Sequence, residues 1–371
     1  EAAGAARAKL GPVPCDLALV FVNEGWDGFD AEELPALLGK ELAPLRALGC
    51  NVAGTIAGGR EAEGRPSIAI LAMRLPGARV HSFALTPAEL SRLGDGRALV
   101  ASLDLYPTDA PKFLALSDPM SADPERLLSL VNDGYPGAPL VGGLASGVQL
   151  GRPTWLLHDR EILTRGTAAV ALTGDVAFDV LVAQGCRPIG DPLVVTKSEG
   201  NVLQELGGRP PLEVLRETLS RCSADDQALA RRSLFAGLAM SEGRSRPGRG
   251  DFLVRNLLGF DQGSGALVLG AVPRRGQTLQ FQLRDAKTSD QDLQSLLGAL
   301  PDGGASPRGA LLVSCCGRGL GLYGEPDHDA GLVQSRLGPL PLAGFFASGE
   351  YGPVGGRNYV HGYTSSLAVI R

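Results

Sequence analysis

The sequence predicts an α/β protein: two modules of mixed β-sheets covered by helices, built from repeated β-α-β units with antiparallel strands. Three observations carry this expectation. Continuous apolar runs of strand length alternate with stretches of helical periodicity. The same order of elements occurs three times along the 371 residues. Between the second and third occurrences lies a segment of different texture, rich in alternating apolar and polar residues and in turn signals.

The first unit reads as a strand "DLALVFVN" (16–23), a helix over 31–50, a short strand "VAGTIAGG" (52–59) and a further strand "SIAILAMRLPG" (67–77). The second is "FLALSDP" (113–119), a helix over 123–135, "PLVGGLASG" (139–147) and "TAAVALTGD" (167–175). The third is "ALLVSCC" (310–316), a helix over 329–338, "PLAGFFASGE" (341–350) and "SSLAVIR" (365–371). In the second unit Asp123 is placed to cap a helix whose first position is Pro124, a residue with no N–H to lose there. Each short strand ends in small residues and glycine, where a backbone turns sharply and a ligand can approach closely.

The intervening segment is expected to form consecutive strands over 175–208, with turns at "GCRPIGDP" and "SEGN". A helix opened by proline follows at 210–222, then a three-stranded antiparallel meander over 251–286 and a capped helix over 289–300. A module boundary is expected near 205–212.

Composition narrows the function. The formal charge is −5 and the pI about 5.5, which leaves no electrostatic footprint for nucleic acid. The basic cluster "GRSRPGRG" (243–250) reads as a surface loop. Glycine is abundant (51) and aromatic residues are scarce (5%), so tight turns should join short elements with Ala-, Leu- and Val-based cores. Cys15, Cys50, Cys186, Cys222, Cys315 and Cys316 show no C-x-x-C spacing, which favours packed, reduced thiols over a zinc site or a disulfide framework. No apolar run is long enough to predict a transmembrane segment. The chain begins at Glu1 rather than Met, as expected of a processed product from which any targeting signal would be missing.

Several chemistries can be weighed on the residues. "GLGLYG" (319–324) fits G-x-G-x-x-G after a strand, but Glu325, Asp327 and Asp329 follow where a pyrophosphate needs a helix N-terminus free of negative charge. Cys315 and Cys316 end a strand and point to opposite faces. A catalytic role for either needs a base, for which His361 in "VHGYT" is the candidate histidine. "DHD" (327–329) reads as a solvated loop before a cation site. His81, His158, His328 and His361 lack metal-ligand spacing, although a lone histidine suffices as an axial haem ligand. There remain polar residues embedded in glycine-rich loops: Arg187, Arg318, Ser348, Glu350 and His361. An arginine fork suits a carboxylate and Glu350 an amine, a pair that would hold a small zwitterion; the alternative is that Arg318 and Glu350 pair with each other.

The same motifs carry a family resemblance. "SIAILAMRLPG", "PLVGGLASG", "VAQGCRPIGDPLVVTKSEGNVLQELGG", "SCCGRG", "GFFASGEYGP" and "HGYTSSLAVI" resemble the FIST family (F-box and intracellular signal transduction). The resemblance runs from about Asp16 to the C-terminus. It implies an N-terminal tail (1–15), a FIST N-terminal module (16–208) and a FIST C-terminal module (209–371). It further implies a ligand-binding sensory protein, with amino acids or similar small molecules as the usual suggestion, and haem in some members. Carried onto this sequence, the residues expected to contact a ligand are Cys186, Arg187, Arg318, Ser348, Glu350 and His361. No catalytic residues are implied. The F-box, kinase or cyclase domain of some relatives is not recognisable in this sequence, so an accessory or scaffolding subunit of a larger complex is the alternative, and a cysteine- or nucleotide-dependent enzyme a third. A small-molecule ligand and a protein partner are expected, in the cytoplasm or, alternatively, in a plastid after loss of a transit peptide.

Overall fold

The computed structural model describes residues 1–26, 28–241, 247–300 and 305–371. These form two compact units. One comprises Glu1–Val182, Gln294–Val360 and Thr364–Arg371, the other Ala183–Leu293 and His361–Tyr363. The 208/209 boundary falls inside the latter, between the strand Val202–Leu206 and the helix Pro211–Ser220. Mixed sheets with helices make this an α/β protein in which antiparallel pairing predominates.

In the larger unit the three sequence repeats share one topology: a strand, a crossover, a parallel strand, a hairpin and a returning antiparallel strand. In the first repeat Leu17–Asn23 pairs parallel with Arg46–Asn51, the hairpin is Gly54–Ala57 with Arg60–Glu63, and Ser67–Met73 returns beside Leu17–Asn23. The second repeat uses Lys112–Ser117, Leu140–Leu144, the hairpin Leu156–His158 with Glu161–Leu163, and Thr167–Gly174. The third uses Gly309–Cys315, Leu342–Ala347, the hairpin Glu350–Val354 with Arg357–His361, and Ser365–Ile370.

The hairpins are exchanged in a cycle. That of the first repeat joins the third repeat's Leu342–Ala347, that of the second joins the first repeat's Arg46–Asn51, and that of the third joins the second repeat's Leu140–Leu144. Each repeat therefore completes a sheet begun by another. The apolar core between the sheets draws on all three, including Phe21, Leu48, Leu114, Val141, Val313 and Phe345. Phe21 and Phe345 stack with ring centroids 4.7 Å apart.

Glycine sets the close approaches. Gly49, Gly142 and Gly344 lie opposite Val20, Ala115 and Leu312 in the three parallel pairs. A Cβ at these positions would stand 2.2, 2.0 and 1.8 Å from the facing carbonyl oxygens, distances that no side chain tolerates without backbone movement. Five residues further on, Gly54, Gly147 and Gly349 meet Phe346, Asn51 and Leu144 respectively. Each of these neighbours stands two residues after the first glycine of a different repeat. The segments are "GCNVAG", "GGLASG" and "GFFASG".

Two expectations are corrected in this unit. Residues 31–50 do not form one helix: the α-helix is Leu34–Glu41, and Arg46–Asn51 is a strand. Ala43 adopts a positive φ of 45°, Pro44 cannot donate to a continuing helix, and the lack of a side chain at Gly49 lets the strand close on Val20. The stretch expected as a tail holds a helix, Ala2–Leu10, anchored by Arg7 donating to the Leu42 carbonyl at 2.6 Å.

The smaller unit contains a closed six-stranded barrel in the order Cys186–Glu199, Val202–Leu206, Leu267–Leu269, Phe252–Phe260, Leu234–Ala239, Thr278–Arg284. Its interior includes Ile189, Val195, Leu203, Leu267, Leu279 and Phe281. The expected meander over 251–286 is only partly present. Phe252–Phe260 pairs with Leu267–Leu269, but Thr278–Arg284 pairs with Leu234–Ala239 and Cys186–Glu199. Alternation marks a strand but not its partner, and closure removes the edges a meander would leave. Residues 243–246 of the "GRSRPGRG" stretch lie outside the described residues.

Candidate functional site

Cyclic exchange gives the larger unit three topologically equivalent junctions, each between the segment after a repeat's first strand and the hairpin region of another repeat. At one, Glu24 accepts from the Trp155 indole and from Arg152. At another, neutral amides meet: Asn132 and Asn358 exchange hydrogen bonds of 2.8–3.1 Å. The junction of the third crossover with the first hairpin differs by its density of charge.

There Arg60–Glu63 alternates so that Glu61 and Glu63 share a strand face. Glu61 Oε1 accepts from the Ala330 N–H at 2.9 Å, in the first turn of the helix His328–Leu337. Glu63 Oε1 accepts from the Leu320 N–H at 2.8 Å, just after Gly319. Asp327 accepts from the Glu61 N–H at 2.6 Å and from Arg60 at 2.8 Å. The backbone donors that a bound phosphate would use in "GLGLYG" and the following helix are thus held by the protein's own carboxylates, in keeping with the preference of helix N-termini for anions.

Beneath these residues lies a sealed ion pair. Arg318 is 0% and Asp329 1% exposed. The guanidinium donates to both carboxylate oxygens, Nε to Oδ2 at 2.7 Å and Nη2 to Oδ1 at 3.0 Å. Tyr323 accepts from Arg318 at 2.6 Å and donates to Asp329 at 3.0 Å, and its ring stacks on His328 at 3.5 Å. Burial alone would raise the Asp329 carboxyl, but Arg318 and the His328 and Tyr323 donors hold it well below the usual carboxylate range. The "DHD" segment is therefore not a solvated loop at Asp329. By contrast, burial pushes Glu61 up to about 7, with Asp329, Glu63 and Asp327 adding repulsion against the Ala330 donor. Burial also raises Glu63.

A surface pocket of about 420 Å³ opens at this junction, lined by Arg60, Glu61, Glu63, Arg65, Leu320, Pro326 and Asp327. None of the residues expected to contact a ligand lines it. Arg318 does not pair with Glu350 and does not offer its fork to a ligand: Asp329 occupies it. Glu350 is 0% exposed and accepts from the Thr364 N–H and hydroxyl at 3.1 and 2.8 Å. Burial pushes it up to about 7 despite these donors, Cys315 and the charge of Arg318. Ser348 is half-buried and accepts from Gln149 at 3.2 Å.

The other three expected residues belong to the barrel unit. Cys186 packs with Phe235 and Val254. Arg187 is clamped between Asp226 and Asp285, the latter 3.0 Å from its Nε. His361 is buried. What the sequence reading missed are Glu61, Glu63 and Tyr323. The period-two spacing of the two glutamates was the available signal.

Four of the six thiols, Cys316 among them, do not resemble activated nucleophiles. Burial pushes Cys316 up to about 12, with Glu350 and Glu63 opposing ionisation further. Burial likewise raises Cys15, Cys50 and Cys222. Nor do three of the histidines fit a haem axial ligand. The Nε2 atoms of His81 and His158 face the hydroxyls of Thr173 and Ser82 at 3.4 and 2.8 Å, and His328 lies flat on Tyr323. Among the described residues, no group of three or more His, Cys, Asp or Glu is arranged to hold a metal ion. No helix among them is long and apolar enough to cross a membrane.

Comparison with known proteins adds to this geometry. Models of the FIST N domain and the FIST C domain match residues 16–209 and 211–353. An uncharacterized protein of Mycobacterium tuberculosis is 40% identical over 373 residues, covering 100% of this chain and 95% of the relative. An uncharacterized protein of Mycobacterium bovis is 39% identical over 374 residues, covering 100% and 94%. These relatives are bacterial and give the plastid alternative no support.

Proposed function

Because this chain belongs to the FIST family, with both its N and C domains, we propose that it is a non-catalytic sensory module that binds a small polar molecule at the third junction. FIST domains are associated with sensory signal transduction. The observation that carries the binding reading is the pocket lined by Arg60, Glu61, Glu63, Arg65, Leu320, Pro326 and Asp327. Its volume of about 420 Å³ has room for a small molecule, in an open depression walled mainly by charged side chains. Both signs of charge line it, which suits an amino acid or a similar small molecule. Arg318 and Glu350 then serve from below: Arg318 fixes Asp329 under the loop that carries Leu320, and Glu350 holds Thr364. Arg187 is an internal clamp of the barrel unit. The raised Cys316 thiol argues against a cysteine enzyme, since nucleophilic thiols are activated by lowering their pKa.

The setting this reading implies is cytoplasmic, with a protein partner that takes the output. The test is a native mass spectrum of the purified protein offered a panel of amino acids, wild type beside Glu63→Gln. Retention of a small mass by wild type and its loss in the variant is the expected result. A panel that leaves both spectra unchanged removes the reading. A scaffolding role is favoured by one separate feature: Leu258 and Phe260 are exposed on one face of the barrel strand Phe252–Phe260, and exposed apolar patches mark interaction sites. Co-purification of a large subunit that is lost on Phe260→Ser would support that role.

A further inference from the structure

We propose that the ligand of this pocket is a cation, a small primary amine whose ammonium group is held by Glu61 and Glu63. The inference rests on the reading of the pocket as a ligand site and names the chemistry it takes. Its starting point is an unmatched atom. Glu61 is 5% exposed and lines the pocket. Its Oε1 is satisfied by Ala330, but its Oε2 is buried with no hydrogen-bond partner. A buried carboxylate oxygen without a donor is costly. A proton or a cationic donor removes that cost.

The charges around it favour the cation. Among the lining residues, Glu61, Glu63 and Asp327 face Arg60 and Arg65, so the acids outnumber the bases by one. Arg60 is already engaged by Asp327, and the Arg318–Asp329 pair below is internally neutral. A single positive charge balances the set. An anion has no comparable place, because the Leu320 and Ala330 N–H groups are occupied by Glu63 and Glu61. A metal ion is disfavoured by the two guanidiniums and by the lack of a three-ligand cluster among the described residues. An ammonium group carries three donors and can serve Glu61 and Glu63 together. Where the amine also bears a carboxylate, Arg65 is the residue to meet it.

Binding then replaces a proton. Glu61 faces Glu63 on its own strand, Asp327 and Asp329 on the third repeat, with Arg60, Arg65 and Arg318 as the nearby cations. Its carboxyl is largely protonated below about 7, so amine affinity should rise by about tenfold between pH 6 and pH 8.

The experiment is calorimetric titration of the full chain with n-butylamine, putrescine and L-lysine, beside butyrate and succinate as anionic counterparts. Glu61→Gln keeps an oxygen for Ala330, and Glu63→Gln keeps one for Leu320. The expected result is binding of an amine but neither acid, weakening by about tenfold or more in each variant, and loss of the pH dependence in Glu61→Gln. Far-ultraviolet circular dichroism and melting of each variant report whether it is folded. Should Glu61→Gln fail to fold, Glu63→Gln alone decides. Binding of the acids in place of the amines overturns the cation assignment while leaving the pocket as a ligand site. Amine binding unchanged in folded variants overturns the role of the two glutamates. Absence of binding by every probe overturns the amine assignment, and the amino-acid panel above then decides the pocket itself.

Discussion

The hydroxyl of Ser146 donates to the carbonyl of Phe346, joining the second repeat to the third where the three repeats meet. The same oxygen accepts from the Ala53 N–H of the first repeat at 2.8 Å. The other two contacts of this ring are direct: Ser146 N–H to Asn51 O at 3.3 Å and Ser348 N–H to Leu144 O at 3.1 Å. Ser146 thus supplies the third contact of this ring through its side chain, beside the backbone pairing of Gly54–Ala57 with Leu342–Ala347. Ser146→Ala leaves an N–H and a carbonyl without this partner and should cost about 1–3 kcal/mol. Urea denaturation measures it, and an unchanged midpoint would show that the ring does not depend on the hydroxyl.

Gly344→Ala should be the more damaging change. Its Cβ would stand 1.8 Å from the Leu312 carbonyl oxygen, in the interior of a parallel pair. A clash with backbone forces strand separation, and a loss of at least about 2 kcal/mol is expected. Gly331→Ala is the control, because nothing lies within 4 Å of its added Cβ. Equal melting temperatures for the two variants would contradict the packing argument.

Asp329→Ala leaves the Arg318 guanidinium buried and uncompensated. The expected cost is about 3–5 kcal/mol. The double variant Arg318→Met with Asp329→Leu should lose less than the sum of the two single changes, since each single change strands a charge. Additive losses would show that the pair is not coupled.

Glu350 gives the stability a pH dependence. Its folded-state carboxyl lies near 7 against an ordinary value of 4.5, so between these limits the folded state binds the additional proton. Stability is full below the lower value and falls as pH rises towards the upper, by up to about 3 kcal/mol from this group. Glu61 acts in the same direction over the same window. Asp329, with a lowered carboxyl, acts oppositely, its contribution being lost as pH falls below the ordinary carboxylate range. Glu350→Gln should flatten the decline between pH 5 and 7 in denaturation midpoints. Parallel profiles for variant and wild type would contradict the assignment.

Much of the fold is legible in the sequence because its signals are local. The three buried first strands, the Asp123 cap, which accepts from Arg126 at 3.0 Å, and the helix His328–Leu337 all follow from short-range pattern. Gly49 shows where this stops. The sequence "APLRALGC" keeps an apolar run that reads as helical, but Ala43 at positive φ, Pro44 and the approach of Val20 to Gly49 make it a strand. The segments "GCNVAG", "GGLASG" and "GFFASG" carry the repeat openly, but their glycines pack against other repeats, so their purpose is invisible without the cyclic exchange. The candidate site was less legible for the same reason. Arg318 was recognisable as a special cation, but not that Asp329 satisfies it. Glu61 looks like an exposed hairpin residue until the third repeat, some 270 residues on, buries it.

The central claim is that a small molecule binds where the first hairpin meets the third crossover. Hydrogen–deuterium exchange with and without a saturating member of the amine or amino-acid panel tests it most directly. The account predicts slowed exchange at residues 60–65 and 318–330, including the Leu320 and Ala330 amides held by Glu63 and Glu61. Protection confined to other segments, with these amides unchanged, would contradict it.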